Sequence, residues 1–295
     1  MTAHDASVPV APVRPSSVPK AGDTLRRTIS QFTLLDYVAL AVVALLVAAV
    51  VVPGALTPYG PLAGDDANTL APPSPAHPLG TDYLGRDVWA RIIHGTGRTL
   101  LASAVAVLLG LGAGTLLGLV AAMSGGAVDA VISRIVDALL SIPGLLLAMV
   151  VVVSLGFGSL NAAIAVGVST VATFARLMRS EVLTVKQLPF VEASHHIGGR
   201  PTYVLLRHVF PNSFTAVLSL AALQFGIAIL WISALSFLGY GAPPPEPEWG
   251  LLVSEGRNYV VSSSWLVIFP GLAIMITVWA INRISYSVRG DRNDA

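Results

Sequence analysis

The side chains best placed to do something specific lie between Glu181 and Asn212, where glutamate, lysine, arginine and histidine recur among prolines and glycines. After Pro189, Val191 to Ile197 is predicted to form a short helix, Gly198-Gly199-Arg200-Pro201 breaks it, and Thr202 to Val209 forms a second. Glu192 falls near the N-terminus of the first helix, where the helix dipole favours a carboxylate, and the glycines stop it sharply. Such a projection can dock into a groove on a soluble partner; the plainer alternative is an ordinary connection between helices. His195, His196 and His208 raise the question of a metal or a proton sensor. Adjacent histidines on a helix point about 100° apart, and a chain with no cysteine offers no thiolate to join them, so surface histidines are the better reading.

Chemistry elsewhere is sparser. Arg134 and Asp137 are three apart and share a helix face, which suits a structural ion pair better than an ion relay. Asn161, Gln224 and Trp231 sit in or beside apolar runs and either line a polar pathway or pack. Pro244, Glu246, Glu248 and Trp249 belong to a proline-stiffened run suited to meeting a soluble protein or gating a mouth. No Gly-x-x-x-x-Gly-Lys-Ser/Thr phosphate loop occurs, nor His-Glu-x-x-His, nor Gly-x-Ser-x-Gly. ATP hydrolysis and intramembrane proteolysis therefore have no visible machinery in this chain, and no metal site is expected.

The elements that must position these residues are membrane spans. Of the 295 residues 54% are hydrophobic and 11% charged, with a mean hydropathy of +0.75, against roughly 25% charged in a soluble domain. A net charge of +1 gives no sign of a nucleic-acid partner. Six apolar runs are long enough to cross a bilayer: Leu34–Leu56, Thr99–Met123, Ile135–Leu155, Leu160–Met178, Phe214–Leu235 and Trp265–Ile281. The expected fold class is thus all-α and polytopic, with the lipid bilayer as solvent. An even number of spans puts both termini on one side. Four of the 17 basic residues, Arg86, Arg91, Arg98 and Arg257, fall on the other side, so the positive-inside rule assigns the termini to the cytoplasm.

That topology divides the chain into a cytoplasmic tail over 1–33, a first span over 34–56, an external segment over 57–98 and a five-span core over 99–283. The core holds a cytoplasmic loop at 180–212 and an external loop at 236–264, and a C-terminal tail follows over 284–295. Pro9, Pro12, Pro15 and Pro19 mark the first tail as flexible. Ala102, Ala106, Gly110, Gly114, Gly118 and Ala122 recur every fourth residue, a small-residue stripe open to close approach by another helix of this chain or of a partner. Pro143-Gly144 and Pro270-Gly271 predict kinks in the third and sixth spans.

Three separated motifs carry a family resemblance. Glu192-Ala193-Ser194, three residues, Gly198 and later Pro211 resemble the EAA signature of ABC importer permeases, with Ser194 in place of the usual second alanine. Serine is nearly as small, although its hydroxyl competes for backbone hydrogen bonds. His77-Pro-Leu-Gly80-Thr-Asp82-Tyr-Leu-Gly85-Arg86-Asp87-Val-Trp89 resembles the external sequence after the first span of peptide and nickel permeases. Ala234 to Gly250, with Phe269-Pro270-Gly271, resembles the loop after their fifth span and part of their sixth. The likeness covers roughly Pro72 through Arg289; the proline-rich stretch before Arg26 has no counterpart.

The resemblance implies a type I (MetI-like) ABC importer permease fold in the bacterial inner membrane. It also implies a heterodimer with a second homologous permease, two cytoplasmic ATPase subunits that bind ATP and Mg, and an external substrate-binding protein. No cofactor is expected on this chain itself. Phe190, Val191, Glu192, Ala193, Ser194, Gly198 and Gly199 would form the helix that couples to an ATPase. Di- or oligopeptides are the implied cargo, with nickel or another small solute as the alternative. An ion-coupled secondary transporter is the competing class, but it should show inverted repeats and paired intramembrane acids, and neither is evident.

Overall fold

The computed structural model describes residues 33–290; the proline-bearing tail, with Arg14, Lys20, Arg26 and Arg27, and the terminal Arg292 lie outside the described residues. Among the described residues there are helices and turns and no strand, apart from one isolated bridge between Thr81 and Asp87. Helix α1 covers Leu34–Val51, and a short α2, Pro53–Leu56, follows it. Helix α3 covers Val88–Ser124, α4 Gly126–Leu140, α5 Gly144–Leu155 and α6 Ser159–Lys186. Two short helices, α7 (Pro189–His196) and α8 (Pro201–Val204), lead through a π-helical turn at Leu205–Val209 into α9, Phe210–Phe237. Helix α10 is Trp249–Gly256 and α11 is Trp265–Gly290.

Five of these elements, α1, α3, α6, α8–α9 and α11, are long and apolar enough to cross a bilayer, and the bent pair α4–α5 brings the number to six if it counts as one span. Helix α3 begins earlier than the predicted span. The Asp87 side chain accepts from Ala90 N at 2.7 Å and caps it, and Gly125, at φ +62°, ends it. Its 37 residues extend about 56 Å at 1.5 Å per residue, nearly twice the ~30 Å hydrocarbon thickness. The expected external segment 57–98 therefore includes the first turns of a long rigid helix. Helix α11 likewise runs past Ile281, to Gly290.

The third expected span is not a kinked rod but two helices bent by 95°. Proline supplies no N–H for the helical ladder and disfavours helical backbone at the residue before it. Pro143, at ψ 125°, is accordingly extended and caps α5 rather than continuing α4. Helix α5, with 12 residues, is too short to cross alone. Gly144 sits beneath the Trp231 ring, where an added Cβ would lie 2.8 Å from Cζ3 and 3.0 Å from Cζ2. Gly144→Ala is expected to cost about 1–3 kcal/mol as an overpacked contact. Thermal unfolding in detergent checks this, and Trp231→Leu should restore the loss.

The stripe on α3 packs inside this chain. A Cβ on Gly110 would come within 3.1 Å of the Gly167 carbonyl, and one on Gly118 within 2.9 Å of Met178 Cβ, both on α6. Close approach of two backbones through small residues is how helices associate where lipid removes the hydrophobic drive. Around this crossing the core gathers Val152, Val166, Phe174, Met178, Ile232 and Leu235.

The start of α1 and the end of α11 meet. Arg283 Nε donates to Asp36 Oδ1 at 2.7 Å, its Nη2 donates to Thr33 Oγ1 at 2.9 Å, and the Ser287 hydroxyl donates to Asp36 Oδ1 at 2.6 Å. The two described ends of the chain therefore lie at the same end of the bundle. The expected Arg134–Asp137 pair is replaced: Asp137 bonds Arg176 at 2.5 Å, and Asp129 holds Arg179 through two bonds of 2.5 and 2.7 Å. Helix α4 turns its carboxylates toward α6, so their partners come from the neighbouring helix.

Candidate functional site

At the end where α3 terminates, α6 carries straight on beyond Met178 to Lys186, whose Nζ donates to the Ala122 carbonyl at 3.1 Å in the last turn of α3. The chain turns at Gln187-Leu188 and enters α7, with Pro189 at the first position, where a missing N–H costs nothing. Its eight residues divide by face. Val191 is buried, in one cluster with Val204 and Val209, and Ser194 is buried beside it. Phe190, Glu192 and Ala193 face outward, and Ile197 just beyond is 86% exposed. Glu192 lies in the first turn, where the helix dipole favours it.

The turn that stops α7 is built from glycine. Gly198 has φ +86°, a left-handed conformation costing other residues about 1–2 kcal/mol. Gly199 N donates to the Ser194 carbonyl at 3.0 Å, closing a Schellman motif. A Cβ on Gly199 would lie 2.6 Å from that same carbonyl. Both glycines thus shape the projection, and of the seven expected coupling residues Val191 and Ser194 anchor it from within.

Beyond Pro201 the helix widens into a π turn, in which Phe210 N donates to the Leu205 carbonyl. Pro211 explains this: it has no N–H to give and its ring crowds the carbonyl four residues back, so the register loosens by one residue just before it. The turn sets His208 between Phe190 and Tyr203, with ring centroids 6.1 and 5.9 Å away, both edge-on. This exposed aromatic group, with Leu206 beside it in sequence and also exposed, was not foreseen. Its signal was present in Phe190, Tyr203 and His208, but the π turn that assembles it is not encoded by a helical period. Among the described residues no group of three His, Asp or Glu side chains is placed to hold a metal.

The opposite end of the bundle overturns several expectations. Glu248 and Trp249 do not present themselves to a soluble partner. Glu248 is completely buried and accepts from Ser236 Oγ at 2.5 Å, Ser159 Oγ at 3.1 Å and Ala242 N at 3.2 Å. Trp249, 1% exposed, donates from Nε1 to the Ile92 carbonyl at 3.0 Å, and its backbone N donates to Thr99 Oγ1 at 3.3 Å. The acid and indole therefore tie α10 to the ends of α3, α6 and α9. Glu246 pairs with Arg98, both half exposed, and Pro244 remains exposed. Asn161 spends its Nδ2 on the carbonyls of Leu155 and Gly156, at 3.2 and 3.1 Å, which closes the turn from α5 to α6. Trp231 fills the space above Gly144, and Gln224 is buried within α9. For Asn161 and Trp231, packing explains the residue.

The segment from His77 to Trp89 is fastened by buried charge. Asp82 Oδ2 accepts from Arg86 Nε at 2.6 Å and from Arg91 Nη1 at 2.7 Å, and Arg91 Nη1 also reaches Glu255 Oε2 at 2.7 Å. Tyr83 donates to Glu255 Oε1 at 3.2 Å and stacks on Tyr259, ring centroids 5.6 Å apart. Burial first, then the Glu255 carboxylate, push the Tyr83 phenol above its ordinary 10.0, so it stays a donor across physiological pH. Two cations and two anions balance here, joining the 57–87 segment to α3 and α10. Removing one member strands another, so Arg91→Leu is expected to cost about 3–5 kcal/mol. A thermal melt of the purified chain measures it, and an unchanged transition would contradict the geometry.

Five helices long and apolar enough to cross a bilayer, a bent pair that makes a sixth, and a short exposed helix-turn-helix between α6 and α9 together define a multi-pass membrane protein. Residues 114–290 match the family described as the inner membrane component of binding-protein-dependent transport systems, and the chain belongs to that family. The glutathione transport system permease protein GsiD of Pectobacterium atrosepticum is 40% identical over 217 residues, 74% of this chain and 72% of that protein. Its counterpart in Shigella flexneri is 41% identical over the same shares. Among solved structures, an inward-facing MetNI methionine ABC transporter aligns with TM-score 0.58 at 17% identity, covering 70% of this chain and 97% of that one. An amino acid ABC transporter with histidines aligns with TM-score 0.55 at 14% identity, covering 68% and 94%. These likenesses give the fold. The chain is accordingly a multi-pass inner-membrane permease subunit of an ABC importer, a family that works with ATPase and substrate-binding partners.

Proposed function

We propose that this subunit forms half of a peptide-type translocation pathway and takes its movement from an ATPase docked on α7. The observation that carries the reading is the division of α7 into a buried face, Val191 and Ser194, and an outward face, Phe190, Glu192 and Ala193. A helix anchored in this way transmits a push to α6 and α9 as a rigid lever rather than absorbing it. In the cycle, ATP closes two ATPases on each other, each moves a coupling helix, and two homologous permeases rock to face outward. Hydrolysis returns them inward, with substrate from an external binding protein released to the cytoplasm. This chain takes part mechanically, and ATP and Mg belong to the ATPases.

Peptide-type cargo is supported by the 40% identity to a glutathione permease. Cytoplasmic termini are supported by the basic residues, of which Arg176, Arg179, Lys186, Arg200, Arg207 and Arg283 fall in the segments at or leading to the α7 end. The test is to tag the chain, extract it gently from its native membrane and identify by mass spectrometry what accompanies it. A second permease with ATPase subunits is expected. Reproducible isolation of the chain alone would favour a secondary transporter instead.

A further inference from the structure

Helix α11 carries Pro270 in its second turn. Proline has no N–H, so the carbonyl four residues back, that of Leu266, goes without its helical donor. That carbonyl is turned toward α10: a Cβ on Gly256 would lie 2.8 Å from the Leu266 oxygen. On α3, Arg91 is 2% exposed and spends Nη1 on Asp82 and Glu255, while its Nε is buried without a hydrogen-bond partner. A donor and an acceptor that have both left water are costly for as long as each stays unmatched. Arg91 and Leu266 line one pocket, together with Asp82, Tyr83, Glu255 and Gly256, in which the centre of a water molecule can range over about 10 Å3.

We propose that this pocket holds one ordered water molecule, which accepts from Arg91 Nε and donates to the Leu266 carbonyl. Its second hydrogen faces a wall bearing two carboxylates, those of Asp82 and Glu255, which gives it the usual complement of about three partners. Size and charge select the occupant. The space suits about one water molecule. The cations Arg86 and Arg91 already balance the anions Asp82 and Glu255, so no net charge draws an ion in, and an unmatched N–H repels a metal cation. Membrane helices broken by proline recover the freed backbone group through a neighbouring side chain or an ordered water, and here the water does so while also matching the arginine. Helix α11 is thereby joined at its proline break to the charged cluster that holds α3 and α10 together.

Radiolytic labelling tests this, because an X-ray pulse splits a held water into hydroxyl radicals that mark the side chains beside it, even when a scavenger removes radicals from bulk solvent. Leu252 and Leu266 line the pocket and are 6% and 5% exposed; Leu251, 7% exposed, is not on its wall and serves as the control. The full chain in lipid nanodiscs, pulsed with scavenger present and read residue by residue by tandem mass spectrometry, is expected to carry severalfold more label at Leu252 and Leu266 than at Leu251. Val88→Ile adds a methylene to the pocket wall and should bring both down to the level of Leu251. Equal labelling of the three leucines in the native sequence would overturn the proposal. So would labelling that Val88→Ile leaves unchanged, which means entry of bulk solvent, or labelling that rises when chloride is replaced by gluconate, which means that an anion takes the site. If Val88→Ile does not fold, Pro270→Ala decides the matter by returning an N–H to the Leu266 carbonyl: a fall in the labelling of Leu266 supports the water, and no change contradicts it.

Discussion

Gly198→Leu is expected to lower substrate-stimulated ATP hydrolysis of the assembled transporter about tenfold while leaving the amount of inserted chain unchanged. The reasoning starts at the backbone. Gly198 has φ +86° and no atom within 4 Å of an added Cβ, so leucine meets no steric wall and only the turn resists it. Left-handed backbone costs a non-glycine residue about 1–2 kcal/mol, and at about 1.4 kcal/mol per decade that shifts the turn's population about tenfold. The turn fixes the direction in which α7 projects, whereas the spans do not depend on it. Glu192→Ala should act similarly by a different route, since an exposed carboxylate can be lost without harm to the core. Val191→Ala provides the contrast: its side chain is buried, so its cost of about 1–3 kcal/mol should appear in stability as well. ATPase rates in lipid nanodiscs, with and without loaded binding protein, measure all three. Full stimulation in both Gly198→Leu and Glu192→Ala would remove α7 from the coupling path.

The second large effect is structural. Gly114→Leu is expected to abolish recovery of folded chain. A Cβ there would lie 2.5 Å from Phe174 Cβ, 2.6 Å from the Val171 carbonyl and 3.0 Å from Ala175 N. Two of these three are backbone atoms of α6, which cannot rotate aside, so α3 and α6 must separate along their whole crossing. Overpacking in a yielding core costs about 1–3 kcal/mol; a rigid crossing should exceed that range, against total stabilities of about 5–15 kcal/mol. Gly112 is the internal control, two residues away on the same helix with nothing within 4 Å of its Cβ. Gly112→Leu should give a normal monodisperse profile on size-exclusion chromatography. Equal tolerance of both substitutions would mean that the stripe does not hold this crossing.

Much of this architecture was legible because its signals are local. Apolar length marks a span, and Pro189, Gly198-Gly199 and Pro201 punctuate the segment between α6 and α9 where the short helices begin and end. The stripe from Ala102 to Ala122 announced a close helix contact but not whose, because an interval of four states spacing and leaves the partner open. Pro143 likewise marked where a helix must break without stating the angle, which depends on how α4 packs on α6 and how Gly144 fits under Trp231. What could not be read were choices of distant partner. Glu248 and Trp249 follow four prolines and look like a wet loop, yet their partners Ser159, Ser236, Ile92 and Thr99 come from three other helices. Arg91 belongs to the same class. A lone arginine after an apolar run reads as exposed until Asp82 and Glu255 arrive from either side to neutralise it.

The absence of cysteine from the sequence permits a direct test of the coupling claim. Ile197→Cys places a single thiol at the exposed tip beyond α7, and a short thiol-reactive photo-cross-linker can then be activated in native membranes. The account predicts a dominant adduct with an ATPase subunit that strengthens or weakens when ATP is trapped, since the coupling helix moves with the ATPase. An adduct confined to this chain or to lipid, in membranes where the ATPase is shown to be present, would contradict it.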